Sequence, residues 1–354
     1  MNGPELLKFL VSIPSVSGSE HQLAEQLAAI LQSEDFAVQR EGDNLWFSIG
    51  EGRPHLLMIS HLDTVPACAG WASDAQTPVT AGDKLIGLGA NDAKGCVAAM
   101  IMAARTLRGA PLEGKVTFAF VVREETDGEG VRTTRPRLGA IDAAVIGEPT
   151  ALEICNTQRG MLLLRCAAYG EAAHVAHAHL GKNAIHQAAR DISRLAAMQF
   201  EPHEKLGISR PQVTEIAGGT ARNQVPGRCE FFVDIRTTPN LDHAELAKRI
   251  AEELEGEVTV HSARYEPAAT EEREPIVRAA LAAAGKAKPV GSVTTSDWAF
   301  LRDIPTVKAG PGDTARSHRP NEYLHFTELE AGAEFYAALA RAYFALVTKE
   351  VAHV

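Results

Sequence analysis

Several features that would assign the protein to a class at once are missing from its sequence. Its 354 residues contain five scattered cysteines and no C-x-x-C pair, which indicates neither a disulfide framework nor a thiolate zinc site. No apolar stretch approaches the roughly eighteen uninterrupted residues that a membrane span needs. The opening MNGPELLKFLVSIPS lacks the long apolar core and cleavage site of a signal peptide. We therefore expect a protein of the reducing cytoplasm that does not enter a membrane.

The sequence also has fewer basic than acidic residues, which limits the classes of molecule that the protein is expected to bind. The formal net charge is −10, because 45 acidic residues outnumber 35 lysines and arginines. Nucleic acids and anionic membranes are bound through basic patches, so neither is expected as a partner. A G-x-S-x-G elbow is absent, and no cysteine has an activating setting, which disfavours a serine or cysteine hydrolase.

The hydrophobic pattern predicts an α/β fold. Strand-like runs at 44–49, 55–60, 115–122 and 143–148 alternate with helix-like segments such as 93–107. Nearly continuous apolar strands that alternate with helices indicate a mostly parallel sheet covered on both faces.

A change in this pattern near residue 158 predicts an inserted second domain. The runs RGMLLLRCAAYG and PGRCEFFVDIRTT alternate polar and apolar residues, as strands with one solvated face do. Each precedes a helix-like segment, and the order strand–helix–strand–strand–helix–strand is typical of a small α+β domain. The sequence thus predicts one domain from 1–157 with 266–354, interrupted by a smaller domain at 158–265.

Acidic residues and histidines lie at the ends of the predicted strands or in loops of the larger domain. They are His61 and Asp63 in SHLDTVP, Asp92 in GANDAKG, Glu124 and Glu125 in REETDGEG, Glu148 in GEPT, and His318 in SHRPNE. Taken singly, each has an ordinary structural interpretation as a helix cap, a solvated carboxylate or a loop histidine. Ligands of open α/β sheets bind beyond the carboxyl ends of the strands, where these groups are expected to meet. Histidines and carboxylates without thiolates suit a pair of zinc-like ions.

The order of these motifs resembles the M20 family of metal-dependent aminoacylases and carboxypeptidases. That family includes acetylornithine deacetylase, succinyl-diaminopimelate desuccinylase and glutamate carboxypeptidase. The matching stretches run from the first residues to about 322, in family order: SHLDTVP, GANDAKG, REETDGEG, GEPT, GEAAHVA, RNQVP, VDIRTTP, TSDWAFL, AGPG and SHRPNE. The resemblance implies a zinc-peptidase-like catalytic domain with an inserted lid and dimerisation domain.

The resemblance also implies two zinc ions, for which cobalt can substitute. One would be bound by His61, Asp92 and Glu148, and the other by Asp92, Glu125 and His318, with Asp92 bridging. Such ions would lie some 3.5–4 Å apart.

Catalytic roles follow from the same resemblance. Asp63 would be the carboxylate that fixes the ring of His61. Glu124 would be the general base, taking a proton from water and passing it to the departing amine. His174 of the inserted domain would reach the active site of a partner subunit and stabilise the oxyanion. Val175 stands where the family more often has Ser or Ala, and a surface histidine beside a strand remains the alternative for His174.

Substrate contacts are implied at four further positions. Asn223 in RNQVP would approach the same region, and Arg236 with the backbone of Gly310 and Gly312 would hold the substrate's α-carboxylate. An arginine fork matches a carboxylate. A salt bridge on the face of a strand is the alternative interpretation of Arg236.

The predicted activity is removal of an acyl group, expected to be acetyl, from a small N-acyl-amino acid. The stretches VPACAGW, NDAKG, GEPT and TSDWAFL most resemble the acetylornithine and acetylcitrulline deacetylases of arginine biosynthesis. Alternatives are the branch that releases lysine or ornithine from an amino-group carrier protein, succinyl-diaminopimelate desuccinylase, and an M20 dipeptidase or carboxypeptidase. A non-catalytic binding protein is disfavoured because every ligand position and Glu124 are present. A homodimer formed through the lid domain is expected.

Overall fold

The chain folds into two compact units. The computed structural model of the protein describes residues 1–109 and 111–351. Unit 1 comprises Met1–Asn156, Thr270–Val290 and the chain from Ser296 onward, and unit 2 comprises Thr157–Ala269 with Gly291–Thr295. Among the described residues, no helix has both the length and the apolar character required to cross a membrane.

Helices and strands alternate through most of the chain. The α-helices of the described residues are α1 Gly3–Ser12, α2 His21–Ser33, α3 Lys94–Arg108, α4 Glu129–Thr134, α5 Ala184–Ala197, α6 His243–Glu253, α7 Pro275–Ala284 and α8 Phe326–Val351. The strands are β1 Gln39–Glu41, β2 Asn44–Ile49, β3 His55–His61, β4 Val79–Ala81, β5 Lys84–Ile86, β6 Lys115–Val121, β7 Ala143–Ile146, β8 Cys155–Gln158, β9 Met161–Tyr169, β10 Ala173–His174, β11 Pro211–Gly218, β12 Gln224–Val225, β13 Arg228–Ile235, β14 Glu257–Tyr265, β15 Ala268–Ala269, β16 Val290–Ser292, β17 Thr306–Lys308 and β18 Tyr323–His325.

The centre of unit 1 is a mainly parallel sheet with the strand order β1-β2-β6-β3-β7-β17. Strand β3 pairs in parallel with both β6 and β7, and β17 pairs in parallel with β7. Strands β1 and β2 complete one edge in antiparallel pairing. All seven residues of β3 are buried, as expected for a strand covered on both faces. The α/β class predicted from the sequence is confirmed.

The core of unit 1 lies between this sheet and its helices. In α3, small and apolar side chains are buried nearly all round, so the helix packs closely against α1 and α8. Helix α7 packs on α8, and α2 packs on β2. Since the helices cover the faces of the sheet, the carboxyl ends of the parallel strands are left for polar side chains.

Unit 2 is a four-stranded antiparallel sheet with the strand order β11-β13-β9-β14, packed against α5 and α6. Alternate residues of β9 and β13 are buried, which matches the alternating sequence pattern of these strands. Leu162, Leu164, Phe231 and Val233 lie in its core. The short strands β10 and β12 form a separate antiparallel pair.

The units differ from the predicted domain boundaries at Thr157, at residues 266–269 and at one separate segment. Gly291–Thr295 belongs to unit 2, although the sequence pattern placed 266–354 wholly in the larger domain. The N–H of Arg159 donates to the carbonyl of Ser292 at 3.1 Å, and the Thr295 hydroxyl donates to the carbonyl of Arg159 at 3.2 Å. These contacts join residues more than 130 positions apart, so no local pattern could indicate them.

Candidate metal centre

Three parallel strands of unit 1 deliver acidic and imidazole side chains to one edge of the sheet. His61 is the last residue of β3 and pairs with Val121 at the end of β6, after which come Glu124 and Glu125. Glu148 follows the end of β7 by two residues. Because these neighbouring strands run in the same direction, the side chains beyond their ends converge.

Asp92 lies between the two histidines of the site. Its Oδ1 is 3.4 Å from Nε2 of His61, and its Oδ2 is 3.6 Å from Nε2 of His318. Nε2 of His61 is also 3.8 Å from Glu148, while Nε2 of His318 is 2.8 Å from Glu125. One carboxylate thus faces a histidine with each oxygen, the arrangement that a ligand shared by two cations requires.

One ring nitrogen of His61 is available to bind a cation. Its side chain is buried, and Nδ1 lies 3.0 Å from the backbone carbonyl of Asp63. With Nδ1 donating to that carbonyl, Nε2 is the free nitrogen, and it has no hydrogen bond of acceptable geometry among the described residues. A buried nitrogen without a partner is costly unless a cation takes its lone pair.

The carboxylate of Asp63 has a different main role from the one predicted. Its Oδ1 is 3.5 Å from the His61 ring, longer than a hydrogen bond. It instead accepts the backbone N–H groups of Glu124 and Glu125, each at 3.1 Å, and the hydroxyl of Ser17 at 2.7 Å. The backbone carbonyl of Asp63 orients the His61 ring, whereas its side chain holds the glutamate loop.

Electrostatics at this edge favour the binding of cations. Burial raises the pKa of Glu124 well above its usual range, and the charge of Glu148 raises it further. Burial likewise raises the pKa of Glu148 to about 7 and raises that of Glu125, with Asp92 adding to both. So many carboxyl groups cannot all be ionised at close range without compensating positive charge. Divalent cations supply that charge and take oxygen and imidazole ligands.

The surroundings of His61 and His318 also favour added positive charge. The hydrogen bond with Glu125 raises the pKa of His318 to about 9, against the opposing effect of burial. Burial lowers the pKa of His61, but the neighbouring carboxylates of Asp63 and Asp92 outweigh it and raise that pKa well above its usual range. Both histidines therefore lie where added positive charge is favoured, and the residues present fit a pair of divalent cations.

Potential ligand atoms form two close groups, within each of which all atoms lie within 4.8 Å of one another. One group is His61 with Glu124 and Glu148, and the other is His61 with Asp92 and Glu125. Both groups differ from the predicted ligand sets. The first has Glu124 where Asp92 was predicted, and the second has His61 where His318 was predicted. The predicted ligand assignments stay predictions, and the structure brings all five ligand positions and Glu124 to one edge of unit 1.

Three buried polar residues near the site were not assigned a role from the sequence. Asp297 is 3% exposed, and its Oδ1 has no hydrogen-bond partner among the described residues. Asn91 and Glu322 are also buried and bond to the loops that carry Asp92 and His318. All three belong to the matching stretches TSDWAFL, GANDAKG and SHRPNE, but only the fold shows what they contact.

Gly310 and Gly312 hold the loop that carries Glu148. The carbonyl of Gly310 accepts the N–H of Leu152 at 3.0 Å, and its N–H donates to the hydroxyl of Thr150 at 3.2 Å. Gly312 has φ +88°, and a Cβ there would lie 2.3 Å from Oδ1 of Asn91, so only glycine fits. Binding of a substrate carboxylate by this backbone stays a prediction.

The other predicted site residues belong to unit 2. His174 ends β10, is exposed, and accepts the N–H of Ala176 on Nδ1 at 3.2 Å. Asn223 is exposed and its carbonyl accepts the N–H of Val175. Arg236 is half exposed and forms a two-point ion pair with Asp234, at 3.0 and 3.2 Å. Their catalytic and substrate-binding roles stay predictions.

The cysteines show no sign of activation. Four of the five are buried, and Cys68 is exposed. Burial raises the pKa of Cys155 to about 11 and that of Cys166 to about 12, the opposite of what a nucleophilic thiolate needs. A cysteine-based mechanism therefore has no support.

The family follows from the sequence comparison. Residues 57–342 match Peptidase family M20/M25/M40. The chain belongs to this family. The resemblance seen in the ordered motifs is thereby confirmed, and the protein is an M20 metallohydrolase.

Two relatives align with this chain over nearly their whole length. The chain is 30% identical to succinyl-diaminopimelate desuccinylase of Xanthomonas campestris pv. campestris (strain B100), covering 92% of this chain and 93% of the relative. It is also 30% identical to the enzyme of that name from Stenotrophomonas maltophilia (strain R551-3), over 93% and 96% of the two chains.

Solved structures of the family share the fold. A tripeptidase from Staphylococcus aureus gives a TM-score of 0.82 at 22% identity, covering 97% of this chain and 98% of that one. A dinuclear metal-binding M20 peptidase from Bacillus subtilis gives 0.78 at 18% identity, over 97% and 98% of the two chains. At these identities the likeness concerns the fold alone.

Proposed function

We propose that the protein is a dinuclear metal-dependent amidohydrolase that removes the acyl group from a small N-acyl-amino acid. The observation that carries the proposal is Asp92, whose two oxygens face His61 and His318, beside the buried carboxyl group of Glu124. Zinc is the proposed metal, with cobalt able to replace it, because the ligand set consists of imidazole and carboxylate groups.

The chemistry divides between the cations and the chain. Bound divalent cations would polarise the scissile carbonyl and lower the pKa of water to about 7. Glu124 accepts a proton from the attacking water as its oxygen adds to the carbonyl carbon. When the C–N bond breaks, Glu124 returns that proton to the departing nitrogen, so the products are a carboxylic acid and an amine, which exchange one further proton to give a carboxylate and an ammonium group. Positive charge from the cations would oppose the raised pKa that burial gives Glu124, which leaves its carboxylate able to accept that proton.

The loop geometry lets neighbouring glutamates serve different purposes. Both backbone N–H groups are held by the Asp63 carboxylate, which fixes the turn after β6. Arg123, immediately before, has φ +61°, so the chain reverses sharply there. The Glu125 side chain then contacts His318, while that of Glu124 groups with His61 and Glu148.

An N-succinyl-amino acid is the proposed substrate, with N-succinyl-diaminopimelate first. The full-length relatives named above are desuccinylases, and this supports the alternative of the sequence analysis over acetylornithine or acetylcitrulline. The reaction would then belong to lysine biosynthesis. The acetylated substrates remain the second candidate because of the stretches VPACAGW, NDAKG, GEPT and TSDWAFL.

We further propose a homodimer in which His174 completes the site of the partner subunit. Since Nδ1 of His174 accepts the N–H of Ala176, the neutral ring carries its proton on Nε2. That tautomer donates a hydrogen bond, as stabilisation of a carbonyl oxygen that gains negative charge requires. Asn223 and Arg236 are proposed to bind the substrate from the same unit.

The test is amine release from a panel of substrates, with and without a chelator. The panel contains N-succinyl-diaminopimelate, N-acetylornithine, N-acetylcitrulline, N-acetyllysine and several dipeptides. Chelator-sensitive turnover strongest on the succinylated compound supports the full proposal. Chelator-sensitive turnover strongest on an acetylated compound retains the mechanism and corrects the acyl group. Absence of turnover on every compound by the metal-loaded protein contradicts the small-substrate proposal and favours a carrier-protein substrate.

A further inference from the structure

Glu322 holds the loop that presents Asp92. Its side chain is buried, and Oε1 accepts the backbone N–H groups of Asn91 at 2.8 Å and Asp92 at 2.9 Å. Oε2 accepts the N–H of Gly89 at 3.1 Å. One carboxylate thereby fixes three backbone groups of a loop that lies more than 200 residues earlier in the sequence.

Asn91 makes the reciprocal connection to the segment that presents His318. Its Oδ1 accepts the N–H of Asp313 at 2.9 Å, and its Nδ2 donates to the carbonyl of Asp313 at 3.1 Å. The same Nδ2 donates to the hydroxyl of Ser317 at 3.2 Å, one residue before His318. Each loop thus contributes one side chain that bonds to the other loop.

The segment between these attachments carries backbone strain. His318 has φ +58° and Asn321 has φ +60°, a region that side-chain-bearing residues seldom adopt. Strained residues persist only where surrounding contacts enforce them. The bonds to Asp313 and Ser317 precede the strained residues, and Glu322 follows them directly.

We propose that Glu322 and Asn91 are positioning residues that set the separation of Asp92 and His318, and with it the affinity of the second cation. The proposal rests on the metal centre of the proposed function. Both oxygens of Glu322 already accept backbone N–H groups, so its contacts are those of a support and not of a ligand. When the support is lost, the 3.6 Å separation of Asp92 and His318 is no longer enforced, and the cation between them binds less tightly.

The experiment measures cation binding by the full chain without substrate. Protein stripped by chelator is titrated with zinc, and the stoichiometry and Kd of each step are measured by calorimetry and elemental analysis. Wild-type protein is expected to bind two ions per chain. Glu322→Gln places an amide N–H₂ against a backbone N–H, and we expect the weaker step to lose about 10- to 100-fold in affinity while the first is retained.

Asp191→Asn is the matched control. Asp191 is also a buried carboxylate, and it accepts the N–H groups of Glu255 at 2.9 Å and Gly256 at 3.0 Å within unit 2. We expect this variant to lose thermal stability but to keep both zinc affinities. Unchanged zinc binding by Glu322→Gln, or an equal loss in Asp191→Asn, would overturn the positioning role.

A second variant keeps the test decisive if Glu322→Gln does not fold. Asn91→Ala retains Glu322 but removes the side-chain bonds to Asp313 and Ser317, and the same selective loss of the second zinc ion is expected. Two intact binding steps in Asn91→Ala would contradict the proposal. If the wild-type protein itself binds no zinc, it is the metal centre of the proposed function that fails.

Discussion

The carboxylate of Asp63 accepts the backbone N–H of Glu124 at 3.1 Å, so the residue proposed as general base is positioned through its main chain. The other oxygen of Asp63 accepts the N–H of Glu125 at the same distance. One buried carboxylate therefore fixes the direction from which both glutamates enter the site. Burial raises the pKa of Asp63, but the neighbouring His61 and the hydrogen bonds to Asp63 outweigh burial and lower that pKa. The Asp63 side chain is therefore held in its ionised form.

Asp63→Asn tests this support. The amide retains one oxygen but turns an N–H₂ group toward a backbone N–H of the glutamate loop, so the loop is expected to shift. We expect kcat to fall by about 10- to 100-fold, in the range found when groups that support metal sites are changed. Steady-state kinetics and metal analysis of the same preparation measure the effect.

Ser17→Ala is the control for that variant. It removes only the hydroxyl donor at 2.7 Å from Asp63 and leaves both backbone bonds in place. Its kcat is expected to stay much closer to wild type. If Asp63→Asn has wild-type kcat, Asp63 does not position the glutamate loop for catalysis.

Glu124→Gln separates catalysis from metal binding. The amide cannot accept and return a proton, and we expect kcat to fall by about 10²- to 10⁴-fold while two cations remain bound. Glu129→Gln is a suitable control, since Glu129 lies in the same stretch but is exposed and pairs with Arg123. Near-normal turnover by Glu124→Gln would remove the general-base assignment, and loss of a cation would make Glu124 a ligand.

What could be predicted from the sequence depended on local pattern. The run 44–49 coincides with β2, and the run before His61 is β3, which is rich in apolar residues because it is buried on both faces. The polar residues that follow such runs could be placed at the ends of strands for the same reason. Family resemblance then supplied their roles.

What could not be predicted depends on contacts between distant residues and on unusual backbone geometry. Glu322 bonds to residues 230 to 233 positions away, and no periodicity in the sequence signals such a contact. The sequence also gives no indication that Arg123 and His318 have positive φ, since neither is glycine. The side chain of Asp63 was predicted to orient His61, but it accepts hydrogen bonds from the Ser17 hydroxyl and from backbone N–H groups of a loop 61 and 62 residues later.

The burial of His55 predicts how the free energy of unfolding depends on pH. It is buried at the start of β3, where Nδ1 lies 2.8 Å from the carbonyl of Ala140 and Nε2 lies 2.7 Å from the hydroxyl of Thr117. Burial lowers its pKa below the ordinary value of 6.5, so the folded state favours the neutral ring. Its contribution to the free energy of unfolding is complete above 6.5 and is lost as the pH falls from 6.5 toward the folded-state pKa.

Urea unfolding at pH about 7.5 and about 5.5 measures this contribution. Wild-type protein is expected to lose more stability between these values than His55→Gln, which has no titrating ring at that position. His186→Gln, at an exposed position on α5, should show the wild-type loss. Equal losses in wild type and His55→Gln would mean that His55 does not contribute to the acid sensitivity.

Complementation between two inactive variants tests whether His174 acts in the partner subunit. In a mixed dimer of Glu124→Gln and His174→Ala chains, the site with an intact Glu124 receives its histidine from the Glu124→Gln chain. Random exchange of equal amounts makes half of the dimers mixed, each with one complete site of two, so activity should recover to about a quarter of wild type. Each variant alone should remain near its own low rate. Subunit exchange is verified with differently tagged chains, and confirmed mixed dimers without any recovery would place His174 outside the partner's site.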